Sequence, residues 1–199
     1  MVEEIEKYAK ENNIPIMQKD GINYLVNFIK THNIKNVLEI GTAIGYSAIM
    51  MCMASEDVKV TSIERDNERY LEAVSNVNKS HLDDRISLIF GDALDLKLDG
   101  TYDLIFIDAA KAQNIKFFEK YKFNLKDDGY IITDNMNFHG LVKKPLEEIK
   151  SKNVRGIVKK IIEYKEFLVT NDSFDTEFLE IGDGIAVSHK EDVWKVNLR

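Results

Sequence analysis

The stretch Asn36-Val37-Leu38-Glu39-Ile40-Gly41-Thr42-Ala43-Ile44-Gly45-Tyr46-Ser47-Ala48-Ile49 changes character twice within fourteen residues. Residues 36–40 read as a buried strand, and the apolar residues that follow the turn fit a helix over 46–54. Between them, Gly41 and Gly45 permit a tight turn whose backbone N–H groups can approach a ligand closely. Strand, glycine turn and helix in that order are the opening unit of a parallel α/β sheet. The spacing is Gly-x-x-x-Gly rather than Gly-x-Gly-x-x-Gly, which disfavours a dehydrogenase.

Outward from this unit the alternation continues. Upstream, residues 2–12 have helical composition broken by Pro15, and residues 19–31 place Ile22, Leu25, Val26 and Ile29 at helical spacing. Downstream, strands are expected over 58–63, 85–90, 102–107 and 129–133, and helices over 67–80, 115–123 and 156–168, with Pro145 in the loop before the last helix. Residues 177–181 and 185–188 read as a hairpin around Gly182-Asp183-Gly184. The fold class is α/β: a doubly wound, mostly parallel seven-stranded sheet with helices on both faces and a C-terminal antiparallel hairpin. No repeat, linker or low-complexity stretch divides it, so residues 1–199 read as a single domain.

The apolar fraction of 44% and charged fraction of 31% are those of an ordinary globular protein. No apolar run approaches the ~20 residues of a membrane span, and residues 1–7 lack the apolar centre of a signal peptide. A cytoplasmic protein without a membrane partner is expected. The single Cys52 excludes an internal disulfide and reads as a buried thiol rather than a nucleophile. Four histidines (32, 81, 139, 189) are too scattered for zinc; His139 alone falls near the acids described next, as a solvent-facing loop residue.

Ligands of such sheets bind outside the carboxyl ends of the strands. Here those ends carry Glu64, Asp92, Asp108 and Asp134, and Glu39 lies in the last residues of the first strand. Glu64, 23 residues after Gly41, is placed to accept hydrogen bonds from two ribose hydroxyls. Asp92 either faces an adenine or simply forms the turn. Asp108-Ala109-Ala110-Lys111 and Asp134-Asn135 together supply two carboxylates, an amide oxygen and an amine. Oxygen donors of this kind suit magnesium or another hard divalent cation. Lys111 could serve as a general base if its surroundings lower its pKa.

These motifs in this order resemble the class I S-adenosylmethionine-dependent methyltransferases, and more closely the metal-dependent O-methyltransferases of the catechol and caffeoyl-CoA type. The resemblance covers nearly the whole chain. It implies that Met17, Glu39, Gly41, Tyr46 and Ser47 line the cofactor site, the last four at its methionine end, that Glu64 binds the ribose, and that Asp92 and Ala93 bind the adenine. It further implies that Asp108, Asp134 and Asn135 hold Mg2+ and that Lys111, with Asp108, is catalytic. Within the group the chain is most similar to bacterial tRNA 5-hydroxyuridine methyltransferases, through Ile14-Pro15-Ile16-Met17, Glu39 to Ala48, Leu82-Asp83-Asp84-Arg85-Ile86, Phe106 to Lys111, Ile131 to Asn135 and Gly182-Asp183-Gly184. That likeness implies methyl transfer to the 5-oxygen of the wobble 5-hydroxyuridine, giving 5-methoxyuridine, and a homodimer. Two departures stand out: the chain begins about twenty residues later than many relatives, so an N-terminal helix that aids pairing or covers the site is expected to be absent, and it ends in a tail, 191–199 with Trp194, that the pattern does not foresee.

Catechols and 5-hydroxyuracil both present two adjacent oxygens, so the same metal chemistry serves either. Charge distinguishes them. The net charge is −7, yet residues 143–165 hold eight Lys/Arg against three Glu, a local +5 that leaves −12 for the rest. Such a stripe suits the phosphates of a tRNA anticodon loop, whereas a small phenol has no use for it. A small-molecule O-methyltransferase acting on catechols or other phenols is the alternative, and a cofactor-binding scaffold without catalysis is a third reading.

Overall fold

The structure, a computed structural model, describes residues 1–190, so the expected tail 191–199 lies outside the described residues. Seven strands form one sheet: β1 (Asn36–Ile40), β2 (Lys59–Glu64), β3 (Ile86–Phe90), β4 (Tyr102–Ile107), β5 (Leu125–Thr133), β6 (Phe174–Leu179) and β7 (Ile185–Lys190). Their order is β3-β2-β1-β4-β5-β7-β6; β7 runs antiparallel to both its neighbours, and the other pairings are parallel. The α/β class and the antiparallel C-terminal hairpin are those expected from the sequence. Among the described residues six α-helices cover the sheet, α1 (Val2–Glu11) and α2 (Lys19–Thr31) before β1, and α3 (Tyr46–Cys52), α4 (Asn67–Lys79), α5 (Asn114–Tyr121) and α6 (Lys152–Val169) between strands.

The period of two along the central strands explains the winding. Val37, Leu104 and Phe106 point to one face and pack with Ile22, Leu25 and Ile29 of α2 and Ile49 and Met51 of α3. Leu38, Ile105 and Ile107 point to the other, against Phe117, Phe118 and Tyr121 of α5 and Tyr164 and Leu168 of α6. Each face thus gains an apolar cover, which a two-sided parallel sheet requires. No helix among the described residues is long and apolar enough to cross a membrane.

Register decides where the site forms. Ile40 pairs with Ile63 on one side and Ile107 on the other, and Ile107 pairs with Thr133. The residues that leave these strands, Gly41, Glu64, Asp108 and Asp134, therefore emerge at one level. Strand order reverses between β2 and β4 on either side of β1, the switch point at which ligands bind.

Three elements start three or four residues earlier than the periodicity puts them. β5 starts at Leu125, not at residue 129, because the charged and largely exposed 126–128 hide its alternation. A register irregularity between Tyr102 and Leu104 accommodates the extra length. α6 starts at Lys152, not 156, since Ser151 Oγ accepts from Val154 N at 3.4 Å and caps it. Gly156 is carried inside the helix facing open space. β6 runs over Phe174–Leu179, not 177–181, fixed by unbroken pairing from Phe174–Lys190 to Leu179–Ile185.

Candidate active site

The strand ends enclose a cavity of about 400 Å³ lined by the β1–α3 turn, by Glu64 and Arg65, by Asp92 and Ala93, and by Asp108, Lys111, Asp134 and Asn135. Met17 and its neighbours before α2, and Phe138, His139 and Asp183, complete the wall. Of the cofactor, metal and catalytic residues that the resemblance implies, all but Glu39 line this one space.

Gly41 sets the floor. Its φ is +103°, and a Cβ there would lie 2.2 Å from the Asp108 carbonyl oxygen, so only glycine lets the two strand ends close. The amides of Gly41 and Thr42 both donate to Ile63 O, at 3.0 and 3.2 Å, which ties the turn to β2.

Glu39 stands behind the wall instead of on it. It is fully buried on the face covered by α3, where Ser47 Oγ and Ser62 Oγ both donate to its carboxylate and Thr42 Oγ1 bonds to Ser62 Oγ. Burial pushes its pKa up to about 7 against the two serine hydrogen bonds, with the charges of Asp108 and Glu64 adding to the rise. Glu39 therefore reaches the cavity only indirectly, through Ser47 and through Ser62 to Thr42, of which Ser47 and Thr42 line it. Tyr46 also lines it, but its hydroxyl donates to Glu6 Oε1 at 2.8 Å and fastens α3 to α1.

Glu64 is held by the backbone. Its Oε2 accepts from Ala43 N at 2.8 Å, and its Oε1 accepts from Arg65 N and Asp66 N at 2.9 and 2.8 Å. A carboxylate offers about four lone-pair sites, so capacity remains for a donor in the cavity. Asp92 forms its turn, accepting from Leu94 N at 2.9 Å, and also faces the cavity beside Arg65 Nη1 at 3.5 Å. The two sequence readings of Asp92 are thus compatible.

At the other end Lys111 Nζ donates to Asp108 Oδ1 at 2.7 Å. Asp134 is only 2% exposed, and burial first, then the charge of Asp108, pushes its carboxyl up to about 7; Lys111 pulls the other way. A buried and a half-buried carboxylate that repel each other, with an amide next to them, are a donor set that a hard dication would relieve and that its oxygen preference matches. Among the described residues no group of three or more His, Cys, Asp or Glu forms a metal site, since the third donor here is an amide. The left-handed φ of +61° at Asn135 is one that asparagine tolerates better than most residues.

Sequence reasoning missed Arg65, Arg69, Gln113 and Asp183 as lining residues. Arg65 directly follows Glu64 and was findable by position. Asp183 was hidden because Gly-Asp-Gly reads as turn chemistry. Cys52 is buried as expected, and burial pushes its thiol up to about 12. The His139 side chain is 72% exposed, also as expected.

The basic segment divides. Lys143 pairs with Glu180 at 2.8 Å, Lys160 with Glu163 at 2.7 Å, and the partly buried Lys165 donates to Asn137 Oδ1 at 3.3 Å. Lys152, Arg155 and Lys159 share the exposed face of the first half of α6, and that helix packs against the turn Lys111–Gln113.

A family model described as O-methyltransferase matches residues 1–191. Caffeoyl-CoA O-methyltransferase 2 of Populus trichocarpa is 30% identical over 187 residues, 89% of this chain and 76% of its own. A Staphylococcus aureus protein, provisionally named a caffeoyl-CoA O-methyltransferase, has a solved structure that is 41% identical with a TM-score of 0.91, covering 96% of this chain and 92% of its own. The O-methyltransferase of Bacillus cereus in complex with S-adenosylhomocysteine is 25% identical with a TM-score of 0.81, over 96% and 90%.

Proposed function

The chain belongs to the O-methyltransferase family, and from that premise we propose that it transfers a methyl group from S-adenosylmethionine to the 5-oxygen of 5-hydroxyuridine at the tRNA wobble position, giving 5-methoxyuridine. The Bacillus cereus relative bound to S-adenosylhomocysteine supports the cofactor. The β1–α3 turn and Ser47 would receive its methionine end, Glu64 its ribose, and Asp92 and Ala93 its adenine, with Met17 also lining the site. Asp108, Asp134 and Asn135 would hold Mg2+ or another hard divalent cation.

Bound there, the cofactor supplies an electrophilic methyl, and the cation makes a hydroxyl beside it more acidic. The chain's own residues do the rest. Lys111 Nζ, with its side chain only 13% exposed, would take the substrate hydroxyl proton in its neutral form, in which it is no longer the cation of the pair with Asp108. The Gly41 turn and the strand ends fix the two reactants against each other, which reduces the entropic part of the barrier.

The basic half of α6 carries the choice of RNA. Lys152 and Arg155 occupy its first two turns, where cations oppose the helix dipole, and no acid in the first turn compensates. Cations in that position do not stabilise the helix, but they do present positive charge on the exposed face of a helix that packs against the Lys111 turn. The names of curated relatives such as the Populus protein favour a second reading, a small phenolic acceptor. Mass spectrometry of tRNA nucleosides from cells with and without the protein decides: 5-hydroxyuridine accumulates at the expense of 5-methoxyuridine if the acceptor is tRNA, and unchanged nucleosides reject it. We propose further that the enzyme is a cytoplasmic homodimer, a state that sedimentation of the purified chain checks directly.

A further inference from the structure

Asp183 lies in the turn between β6 and β7, 48 residues from Asn135, and its carboxylate is only 5% exposed. Its Oδ1 accepts from the His139 backbone N at 2.5 Å, and its Oδ2 accepts from Asn135 Nδ2 at 3.3 Å. The turn is stitched to the segment after β5 by Met136 N to Gly184 O at 2.9 Å and Asn137 N to Asp183 O at 2.8 Å. Gly184 has φ +83°, and a Cβ there would meet Asn137 Cγ at 2.7 Å, so the contact is as close as the backbone allows.

An ionised carboxylate only accepts hydrogen bonds, and an asparagine amide has one accepting and one donating end. Asp183 can therefore face only the NH2 end of Asn135. We infer that Asp183 is a positioning residue that sets the sense of the Asn135 amide and turns its carbonyl oxygen towards Asp108 and Asp134. The inference rests on the proposed cation site and adds a residue to it that the ligand set does not contain. Outer partners of this kind fix how first ligands are presented.

The consequence is specific. In D183N the new side chain must keep its oxygen towards the His139 N–H, because that backbone donor cannot reverse. Its NH2 then faces position 135, and the Asn135 amide must turn round and offer NH2 to the cation. Shape and hydrogen-bond count are conserved while the oxygen ligand is lost. In the double variant D183N/N135D the new NH2 faces a carboxylate, and an oxygen returns to the site at unchanged total charge.

The test is Mn2+ binding to the full purified chain without substrate, followed by electron paramagnetic resonance, with thermal unfolding and S-adenosylhomocysteine affinity measured alongside. Expected are a D183N protein with near-wild-type unfolding and S-adenosylhomocysteine affinity, Mn2+ affinity lower by about tenfold or more, and recovery of most of that loss in D183N/N135D. Equal Mn2+ affinity in wild type and D183N overturns the inference and leaves the cation site standing. A wild type that binds no Mn2+ overturns the cation site, and the inference falls with it. Should D183N fail to fold, D183N/N135D decides: folded with wild-type Mn2+ affinity it supports the inference, and folded with weak affinity it overturns it.

Discussion

Lys111 Nζ lies 2.7 Å from Asp108 Oδ1 across the Ala109-Ala110 turn, so the proposed base and a proposed cation ligand form one ion pair in the free enzyme. Removing either partner leaves the other unbalanced in a partly shielded site. Lys111→Ala should lower kcat by about 10²-fold or more, as loss of a general base does, while S-adenosylmethionine affinity by calorimetry stays within a few fold. A variant that keeps the wild-type kcat would assign the proton to another group.

Gly41→Ala should destabilise the fold by about 1–3 kcal/mol or more, because the left-handed backbone strains any Cβ and the Asp108 carbonyl lies in its path. Urea denaturation reads this directly. Wild-type stability in the variant would mean that β1 and β4 separate freely at their ends.

Glu39 makes stability depend on pH. Its folded pKa, about 7, lies above the ordinary carboxylate value of 4.5, so the native state holds a proton that the unfolded chain releases. Its contribution is full below about pH 4.5, declines between there and about 7, and stays low above that. Glu39→Gln keeps an acceptor for the serines and carries no charge. Its melting temperature should exceed that of wild type at pH 8 and match it at pH 4.5; an equal difference at both would show that titration of Glu39 is not the cause.

Lys152 and Lys159 are exposed on α6 and form no ion pair among the described residues. Reversing both to Glu should raise KM for tRNA about tenfold or more and flatten the fall of kcat/KM with added salt. The rate with a small catechol, if it is accepted, should be unaffected. Identical KM for tRNA in variant and wild type would turn the proposal towards phenols.

The Cys52 thiol, buried and pushed up to about 12, should resist a thiol reagent such as dithionitrobenzoate at pH 8 until urea unfolds the chain. Rapid labelling of the native protein would show that α3 opens readily from the sheet.

Much of this site was visible along the chain because each piece is local. A strand followed by Gly41 and a helix, or an acid after four apolar residues, is written within a dozen positions. The reading failed where neighbours in space override neighbours in sequence. Lys126-Asp127-Asp128 conceal the start of β5, which pairing with β4 imposes. Gly156 looks like a helix start, yet the Ser151 cap begins the helix earlier. Glu39 has the position of a ligand but spends its carboxylate on Ser47 and Ser62.

The sequence by itself determined which segments are strands and helices and which acids stand at strand ends, since periodicity and turn chemistry act over a few residues. Only the tertiary structure decided which ends are neighbours. The order β3-β2-β1-β4-β5-β7-β6 and the level register of Ile40, Ile63, Ile107 and Thr133 gather Gly41, Glu64, Asp108 and Asp134 around one cavity. The same packing hides Glu39 behind Ser47 and brings Asp183 to Asn135. Burial and the choice of hydrogen-bond partner depend on segments far apart in the chain, and no local pattern records them.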